Sequence, residues 1–146
     1  MLAENKKTKF NYEILESFEA GIELIGIEVK SVRSGKASLD GAHVLVRGGE
    51  AFLVGATIAP YQPNNTPKDY SPMRNRRLLL TQKELSRLGG EEKTKGLTIV
   101  PLSIYNKGRK IKVAIAVVRG KKKFDKRESI KKRETDREIR RTLKNK

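Results

Sequence analysis

The stretch Ala42-His43-Val44-Leu45-Val46-Arg47-Gly48-Gly49-Glu50-Ala51-Phe52-Leu53-Val54 carries the strongest structural signal in the chain. Two runs of strand-forming residues flank a Gly-Gly pair. Glycine accepts the positive φ that both central positions of a type I′ turn require, so the stretch predicts a β-hairpin of Ala42–Arg47 with Glu50–Ile58. We therefore expect a mainly β protein.

A second hairpin is predicted further along, where residues 106–109 join Leu97–Tyr105 to Lys110–Arg119. In the second strand, alternate positions carry β-branched residues, which is the period of a half-buried strand: Ile111, Val113, Ile115 and Val117. Pro101 cannot donate a ladder hydrogen bond, so it predicts an edge position or a bulge.

A further strand is predicted over Tyr12–Ile27, where strand formers are interrupted by Gly21 and Gly26. Glycines of this kind are expected where a strand bends around a barrel. Short strands interrupted by glycine favour a small antiparallel β-barrel over a sandwich.

Two short helices are predicted between the strands. Thr81-Gln82-Lys83-Glu84 matches a capping box, with Leu85 and Leu88 facing inward and Gly89-Gly90 ending the helix. The other helix is predicted over Glu28–Ser34, stopped by Gly35. Its spacing places Val29 and Val32 inward and leaves three side chains more exposed: Glu28, Ser31 and Arg33.

Residues 60–75 have the composition of a long loop. Four of the five prolines lie there, and we expect no regular secondary structure. Tyr61 and Tyr70 are the aromatic residues of this loop and are candidates for contact with RNA. Phe18 and Phe52 lie in strand patterns and are expected in the core.

Charge divides the chain into two parts. The whole chain carries a net charge of +16, and its last part, Arg119–Lys146, has 14 basic and 5 acidic residues. We predict a barrel domain over residues 1–120 and a basic tail over residues 121–146. The tail has no continuous apolar stripe, so it is expected to be disordered when free and helical along a polyanion. A generic solubilising extension is the alternative.

Several kinds of chemistry are excluded or made improbable by composition. There is no cysteine and only one histidine, which excludes thiolate metal sites and a two-histidine site within the chain. His43 lies in a predicted strand, where a structural role is expected. No apolar run could span a membrane, and the N-terminus lacks a signal-peptide pattern. We expect a cytoplasmic, monomeric protein without catalytic residues, metal or cofactor, whose partner is a nucleic acid.

The motifs resemble one bacterial family. Four motifs are similar, in order and spacing, to those of the small protein B family, the SsrA-binding proteins. They are Phe18–Ile22, Gly26–Arg33, Arg76–Leu80 and Gly120–Lys123, the last followed by Asp125-Lys126-Arg127. The resemblance covers nearly the whole chain. Phe10-Asn11-Tyr12 departs from the usual His-Asp/Glu-Tyr step, and Phe124 stands where the family often has histidine.

The resemblance implies an oligonucleotide-binding-like barrel and a role in trans-translation. Such proteins bind the tRNA-like domain of transfer-messenger RNA (tmRNA, or SsrA RNA). With elongation factor Tu they bring alanyl-charged tmRNA to stalled ribosomes, where the tail enters the vacant messenger channel near the decoding centre and follows small-subunit RNA. A basic ribosomal protein, a DNA-architectural protein and a nuclease are the alternatives.

Site residues carried over from the motifs fall into two groups. The expected tmRNA-binding residues are Glu28, Lys30, Ser31, Arg33, Arg76, Arg77, Lys121, Lys122 and Lys123. The expected ribosome-binding residues of the tail are Asp125, Lys126, Arg127, Lys131, Lys132, Arg133, Arg137, Arg140 and Arg141. For Glu28 the alternative is an ion pair with a neighbouring Lys or Arg, and for Asp125 it is a helix N-cap.

Overall fold

The computed structural model describes residues 1–62, 64 and 66–120, which form antiparallel β-structure with short helices. The helices are α1 (Lys6–Asn11), α2 (Gly26–Arg33) and α3 (Gln82–Glu92). The strands are β1 (Ala3–Glu4), β2 (Tyr12–Ile22), β3 (Ala37–Ser38), β4 (His43–Arg47), β5 (Glu50–Val54), β6 (Thr57–Ile58), β7 (Arg76–Leu79), β8 (Leu97–Lys107) and β9 (Lys110–Gly120). The predicted tail, residues 121–146, lies outside the described residues.

The main sheet has 7 strands in the order β1-β8-β9-β2-β7-β5-β4, and a small second sheet pairs β3 with β6. Every pairing is antiparallel. Edge strand β4 also packs next to β8, and no pairing joins β4 to β1 or β8 among the described residues. The prediction of a mainly β, antiparallel fold is confirmed at this level.

The first predicted hairpin is present as β4 and β5. Gly48 and Gly49 have φ of +60° and +75°, the backbone that both central turn positions require. The predicted second strand ends early, at Val54. Gly55, with φ of +83°, turns the chain there, and the last residues of the predicted strand pair separately with β3 as β6.

The second predicted hairpin is also present, with slightly longer strands. Lys107 pairs with Lys110, so the connection is the two-residue turn Gly108-Arg109. The register of β8 against β9 shifts between Pro101 and Ser103. This shift confirms the predicted bulge at the proline.

The predicted strand Tyr12–Ile27 is wrong in its last part, because β2 ends at Ile22 and Gly26 begins α2. The register of β2 against β9 shifts between Ile14 and Glu16, away from the glycines. Gly21 instead allows close packing, since a Cβ there would lie 3.2 Å from the Cβ of Leu79. Four further elements were not predicted from the sequence: β1, α1, β3 and β7.

Helix α3 has the predicted capping box but not the predicted end. The Thr81 hydroxyl accepts from the Glu84 amide at 3.2 Å, and the Glu84 carboxylate accepts from the Thr81 amide at 3.1 Å. The helix continues through Gly89 and Gly90 to Glu92. The Glu92 carboxylate accepts from the amide of Val46 at 2.5 Å, which holds the last turn against edge strand β4.

The core joins the main sheet to both longer helices. Val32 of α2 and Leu88 of α3 are fully buried in the same cluster as Leu53, Ile99 and Ile115 of the sheet. This packing fixes the position of α2 relative to the hairpin β8–β9, and the two elements together form the groove described next.

Candidate nucleic-acid interface

A buried ion-pair network centred on Glu28 fixes helix α2. Both Glu28 and Arg76 are fully buried. Arg76 donates to Glu28 Oε2 through Nε at 2.9 Å and Nη2 at 2.6 Å, while Arg74 Nε donates to the same oxygen at 3.0 Å. Glu28 Oε1 accepts from Arg74 Nη2 and from the Ile25 amide, the latter at 3.0 Å. The carboxylate therefore has charged donors on both of its oxygens.

The network keeps Glu28 ionised although it is buried. Burial alone would raise its pKa, but the hydrogen bonds from Arg74, the Ile25 amide and Arg76 outweigh burial and hold the pKa below its ordinary value of 4.5. Burial, followed by the nearby charge of Glu28, raises the pKa of Tyr70. The Tyr70 hydroxyl stays protonated at neutral pH and donates to the Ile58 carbonyl at 2.8 Å.

Three predicted RNA-binding residues are therefore placed differently from the expectation. Glu28, Ser31 and Arg76 are each fully buried, so the prediction that Glu28 and Ser31 lie on the more exposed side of α2 is wrong. Glu28 pairs with arginines, which is the alternative weighed from the sequence. Arg76 donates to Glu28 and to the carbonyls of Ala56 and Pro72, both at 2.9 Å, and its side chain has no exposed surface. The Ser31 hydroxyl has no hydrogen-bond partner among the described residues.

The other predicted residues of the body are exposed cations. Lys30 and Arg33 lie on the solvent side of α2, and Arg77 lies on β7. Arg77 is near Glu50 at 3.3 Å and Glu23 at 3.7 Å, which partly balances its charge. The remaining predicted site residues, including Lys121–Lys123, lie outside the described residues.

A cationic groove lies between α2 and the β8–β9 hairpin. Arg33 Nη2 donates to the Arg109 carbonyl at 2.8 Å, which joins the end of the helix to the hairpin turn. The groove has a volume of about 320 Å³. Its basic lining residues are Arg33, Arg109, Lys110 and Lys112, and its apolar lining includes Ile22, Leu24, Val29, Leu79 and Ile111.

Sequence reasoning missed three of the four cations in this groove. Arg109, Lys110 and Lys112 were assigned only to a turn and a strand. Two signals could have found them: a hairpin turn with basic residues on both sides of Gly108, and a lysine on the otherwise small and apolar face of β9. What the sequence could not supply was the packing that brings this turn beside α2.

The two loop tyrosines are both half-buried but make different contacts. The hydroxyl of Tyr70 is held within the Glu28 network, 3.3 Å from Glu28 Oε2. Tyr61 is half-buried, and the Lys36 ammonium lies 5.5 Å from the centre of its ring, within the range of a cation–π contact. Tyr61 therefore adds an aromatic surface beside a lysine, whereas the Tyr70 hydroxyl is bound within the Glu28 network.

The described part of the chain has neither a cluster of metal-binding side chains nor a membrane-spanning helix. Within residues 1–62, 64 and 66–120 there is no group of three or more His, Asp or Glu side chains that could hold a metal ion. No helix in that part is long and apolar enough to cross a membrane. His43 is half-buried on β4.

A cationic groove with an apolar floor, in a chain whose C-terminal sequence is strongly basic, is typical of proteins that bind nucleic acids. The family model described as "SmpB protein" matches residues 2–145. The chain belongs to this family.

Similar proteins come from several bacterial groups. The SsrA-binding protein of Microcystis aeruginosa is 46% identical over 144 residues, covering 99% of this chain and 94% of that protein. The SsrA-binding protein of Latilactobacillus sakei is 49% identical over 143 residues, covering 98% of this chain and 91% of that protein. A chain in the solved structure described as "tmRNA-SmpB: a journey to the center of the bacterial ribosome" has 45% identity and a TM-score of 0.69, covering 82% of this chain and 84% of that one.

Proposed function

We propose that this protein binds tmRNA and acts as the RNA-binding adaptor of ribosome rescue by trans-translation. The observation that carries the proposal is the cationic groove, in which a helix held by a buried ion network meets a basic hairpin turn. Family membership and the named relatives support SsrA RNA as the ligand. The adaptor works in the cytoplasm, where the ribosome is, and by binding, without catalysing a reaction.

The groove suits a folded RNA better than an extended single strand. Binders of single strands generally stack bases on exposed aromatic rings. The groove is lined by lysine and arginine, with an aliphatic floor and no aromatic residue among its lining residues. Such a surface contacts the phosphates and riboses of a structured RNA and recognises its shape. We propose that this RNA is the tRNA-like domain of tmRNA. We also propose that the antiparallel sheet of residues 1–120 forms an oligonucleotide-binding-like barrel.

The two parts of the chain have different tasks in this proposal. The body holds the tRNA-like domain through Lys30, Arg33 and the hairpin turn, and Lys121–Lys123, which follow β9 in the sequence, add further contacts to the RNA. The tail, with Asp125, Lys126 and Arg127 at its start, follows ribosomal RNA phosphates in the vacant messenger channel near the decoding centre. Elongation factor Tu accompanies the alanyl-charged tmRNA during delivery.

A pair of charge variants tests the assignment of the groove. Arg109→Ala with Lys110→Ala removes two cations from the hairpin turn of the full-length chain, and Lys83→Ala with Arg87→Ala removes two exposed cations from α3. We expect the turn variant to bind the tRNA-like domain more weakly, with a salt dependence shallower by about one unit for each phosphate that it no longer neutralises. The α3 variant should bind almost normally. Equally weakened binding in both variants would refute the assignment of the groove as the RNA-binding site.

A further inference from the structure

We propose that Arg74 is a positioning residue for RNA binding, which fastens the proline-rich segment 59–75 to helix α2 through Glu28 and does not itself contact RNA. The inference rests on the proposed function, because it concerns how the RNA-binding surface is held in shape. It assigns a role to a residue that lies outside the groove.

Arg74 and Glu28 form a bidentate ion pair, in which two guanidinium nitrogens donate to the two carboxylate oxygens. Its Nε donates to Oε2 at 3.0 Å and its Nη2 donates to Oε1. A paired contact of this kind fixes the orientation of both planar groups. The Arg74 side chain is 34% exposed, whereas Arg76 on the other side of the carboxylate is completely buried. Arg76 therefore pairs with Glu28 from the interior, and Arg74 covers the carboxylate from the segment.

The segment is attached beside α2 at both ends. At its start, Ala59 donates its amide to the Lys36 carbonyl at 3.0 Å, and Lys36 Nζ donates to the Tyr61 carbonyl at 3.2 Å. At its end, the Pro72 carbonyl accepts from the Ile58 amide and from Arg76 Nη2, both at 2.9 Å. Arg74 adds a charged, paired connection from this segment to α2, beside the longer contact of the Tyr70 hydroxyl with Glu28 at 3.3 Å.

The consequence for RNA binding follows from what α2 carries. Lys30 and Arg33 are in the turns of the helix that follow Glu28, and Arg33 reaches the hairpin turn of the groove. If Arg74 no longer holds Glu28, the carboxylate stays paired with Arg76 and the fold persists, but the segment loses its charged connection to α2 and supports the helix less firmly, through the Tyr70 contact. Only a fraction of the molecules then presents the complete surface, and the apparent affinity falls by that fraction.

The test is a salt series on the full-length protein with the tRNA-like domain of tmRNA as the probe. Arg74→Met keeps the aliphatic stem and removes the paired contact, and Arg87→Met is the matched control, since Arg87 on α3 makes an exposed ion pair with Glu16. We expect Arg74→Met to weaken binding about tenfold, as a tenfold smaller competent fraction would, with an unchanged slope of log affinity against log salt. Amide exchange should be faster in the described residues of segment 59–75, and Arg87→Met should change neither quantity.

Two results of this series would overturn the proposal. A slope shallower by about one unit would mean that Arg74 neutralises a phosphate directly. A lower melting temperature with unchanged affinity would mean that the contact serves only folding. Arg74→Lys sharpens the test, because lysine keeps the charge but cannot make the paired contact. We expect it to bind nearly as weakly as Arg74→Met, and full affinity in this variant would also overturn the proposal.

A double-variant cycle tests whether Arg74 acts through Glu28. In a Glu28→Gln background, Arg74→Met should weaken binding less than it does in the wild type, because the shared contact is already loosened. Equal weakening in both backgrounds would contradict the proposal, and the salt series decides the matter alone if Glu28→Gln does not fold. Wild-type protein that fails to bind the RNA at all would refute the proposed function instead.

Discussion

At the scale of single residues, the buried carboxylate of Glu28 is surrounded by cations, and its ion pairs hold distant elements together. Breaking a buried pair by removing one partner leaves an uncompensated charge and typically costs about 3–5 kcal/mol. The Glu28–Arg76 pair joins residues 48 positions apart in the sequence, from α2 to β7. It therefore holds together elements that no local pattern connects.

The lowered pKa of Glu28 predicts a loss of stability in acid. A carboxyl group whose pKa is lowered by folding contributes its full stabilisation above its ordinary value of 4.5, and this contribution disappears as pH falls through the folded pKa. We expect the difference in unfolding free energy between the wild type and Glu28→Gln to be largest near neutral pH and to shrink as pH falls below the ordinary carboxyl pKa of 4.5. Urea unfolding at several pH values measures this difference, and a constant difference would contradict the assignment.

Arg33→Ala should weaken binding of the tRNA-like domain by about 1–3 kcal/mol if the contact is charge-assisted. The variant lacks one cation of the groove and the hydrogen bond that joins α2 to the Arg109 carbonyl. Gel-shift titration of the full-length protein gives the affinity, with Arg87→Ala as a control of equal charge. An Arg33→Ala affinity equal to that of the control would remove Arg33 from the site.

Which site residues could be predicted depends on whether their partners are local. Helical spacing around Val29 and Val32 predicted the exposure of Arg33, and the structure has Arg33 exposed. Arg76 has the same charge, yet it is buried, because its position depends on a carboxylate far away in the sequence. A charged side chain is rarely found fully buried, so sequence reasoning assigned both members of the pair to the surface.

At the scale of elements, turns were more predictable than helix ends. Gly48-Gly49 specifies its turn by backbone conformation alone, and the structure has it as predicted. Gly89-Gly90 was predicted to end α3, but the helix continues because Glu92 is held by β4. A tertiary contact therefore outweighed the local preference of glycine for a helix end.

A matched pair of glycine substitutions tests this account of α3. Gly90 lies inside the helix with open space where a Cβ would be, so Gly90→Ala should stabilise the protein by about 0.5–1 kcal/mol. Gly96 has φ of +85°, so Gly96→Ala should destabilise it by about 1 kcal/mol. Urea unfolding checks both signs, and destabilisation by Gly90→Ala would mean that the helix ends earlier.

At the scale of the whole molecule, the proposal divides the work between a folded body and a basic C-terminal segment. The described body has the groove, and the sequence from Arg119, near the end of the last strand, to Lys146 carries a net charge of +9. The sequence predicted the antiparallel β class and the charge division, since both follow from composition and periodicity. It could not predict the groove, because the packing of α2 against the hairpin turn is a long-range property.

Truncation after Lys123 tests the division of work. The truncated protein keeps the groove and the first lysines of the tail, so it should bind the tRNA-like domain of tmRNA almost normally. It should fail to support peptide tagging on stalled ribosomes, because the segment proposed for the messenger channel is gone. A tagging assay and a gel shift on the same preparation measure both activities, and equal loss of both would refute the division.

The most direct test of the central claim is a competition gel shift with the purified full-length protein. The labelled probe is the tRNA-like domain of tmRNA, and the competitors are excess elongator tRNA and duplex DNA at about 0.15 M salt. We predict that neither competitor displaces the probe efficiently, because charge alone cannot distinguish between polyanions and the shape of the groove must do so. Displacement of the probe by both competitors, as efficient as displacement by the unlabelled tRNA-like domain, would contradict the adaptor function and leave a general nucleic-acid binder.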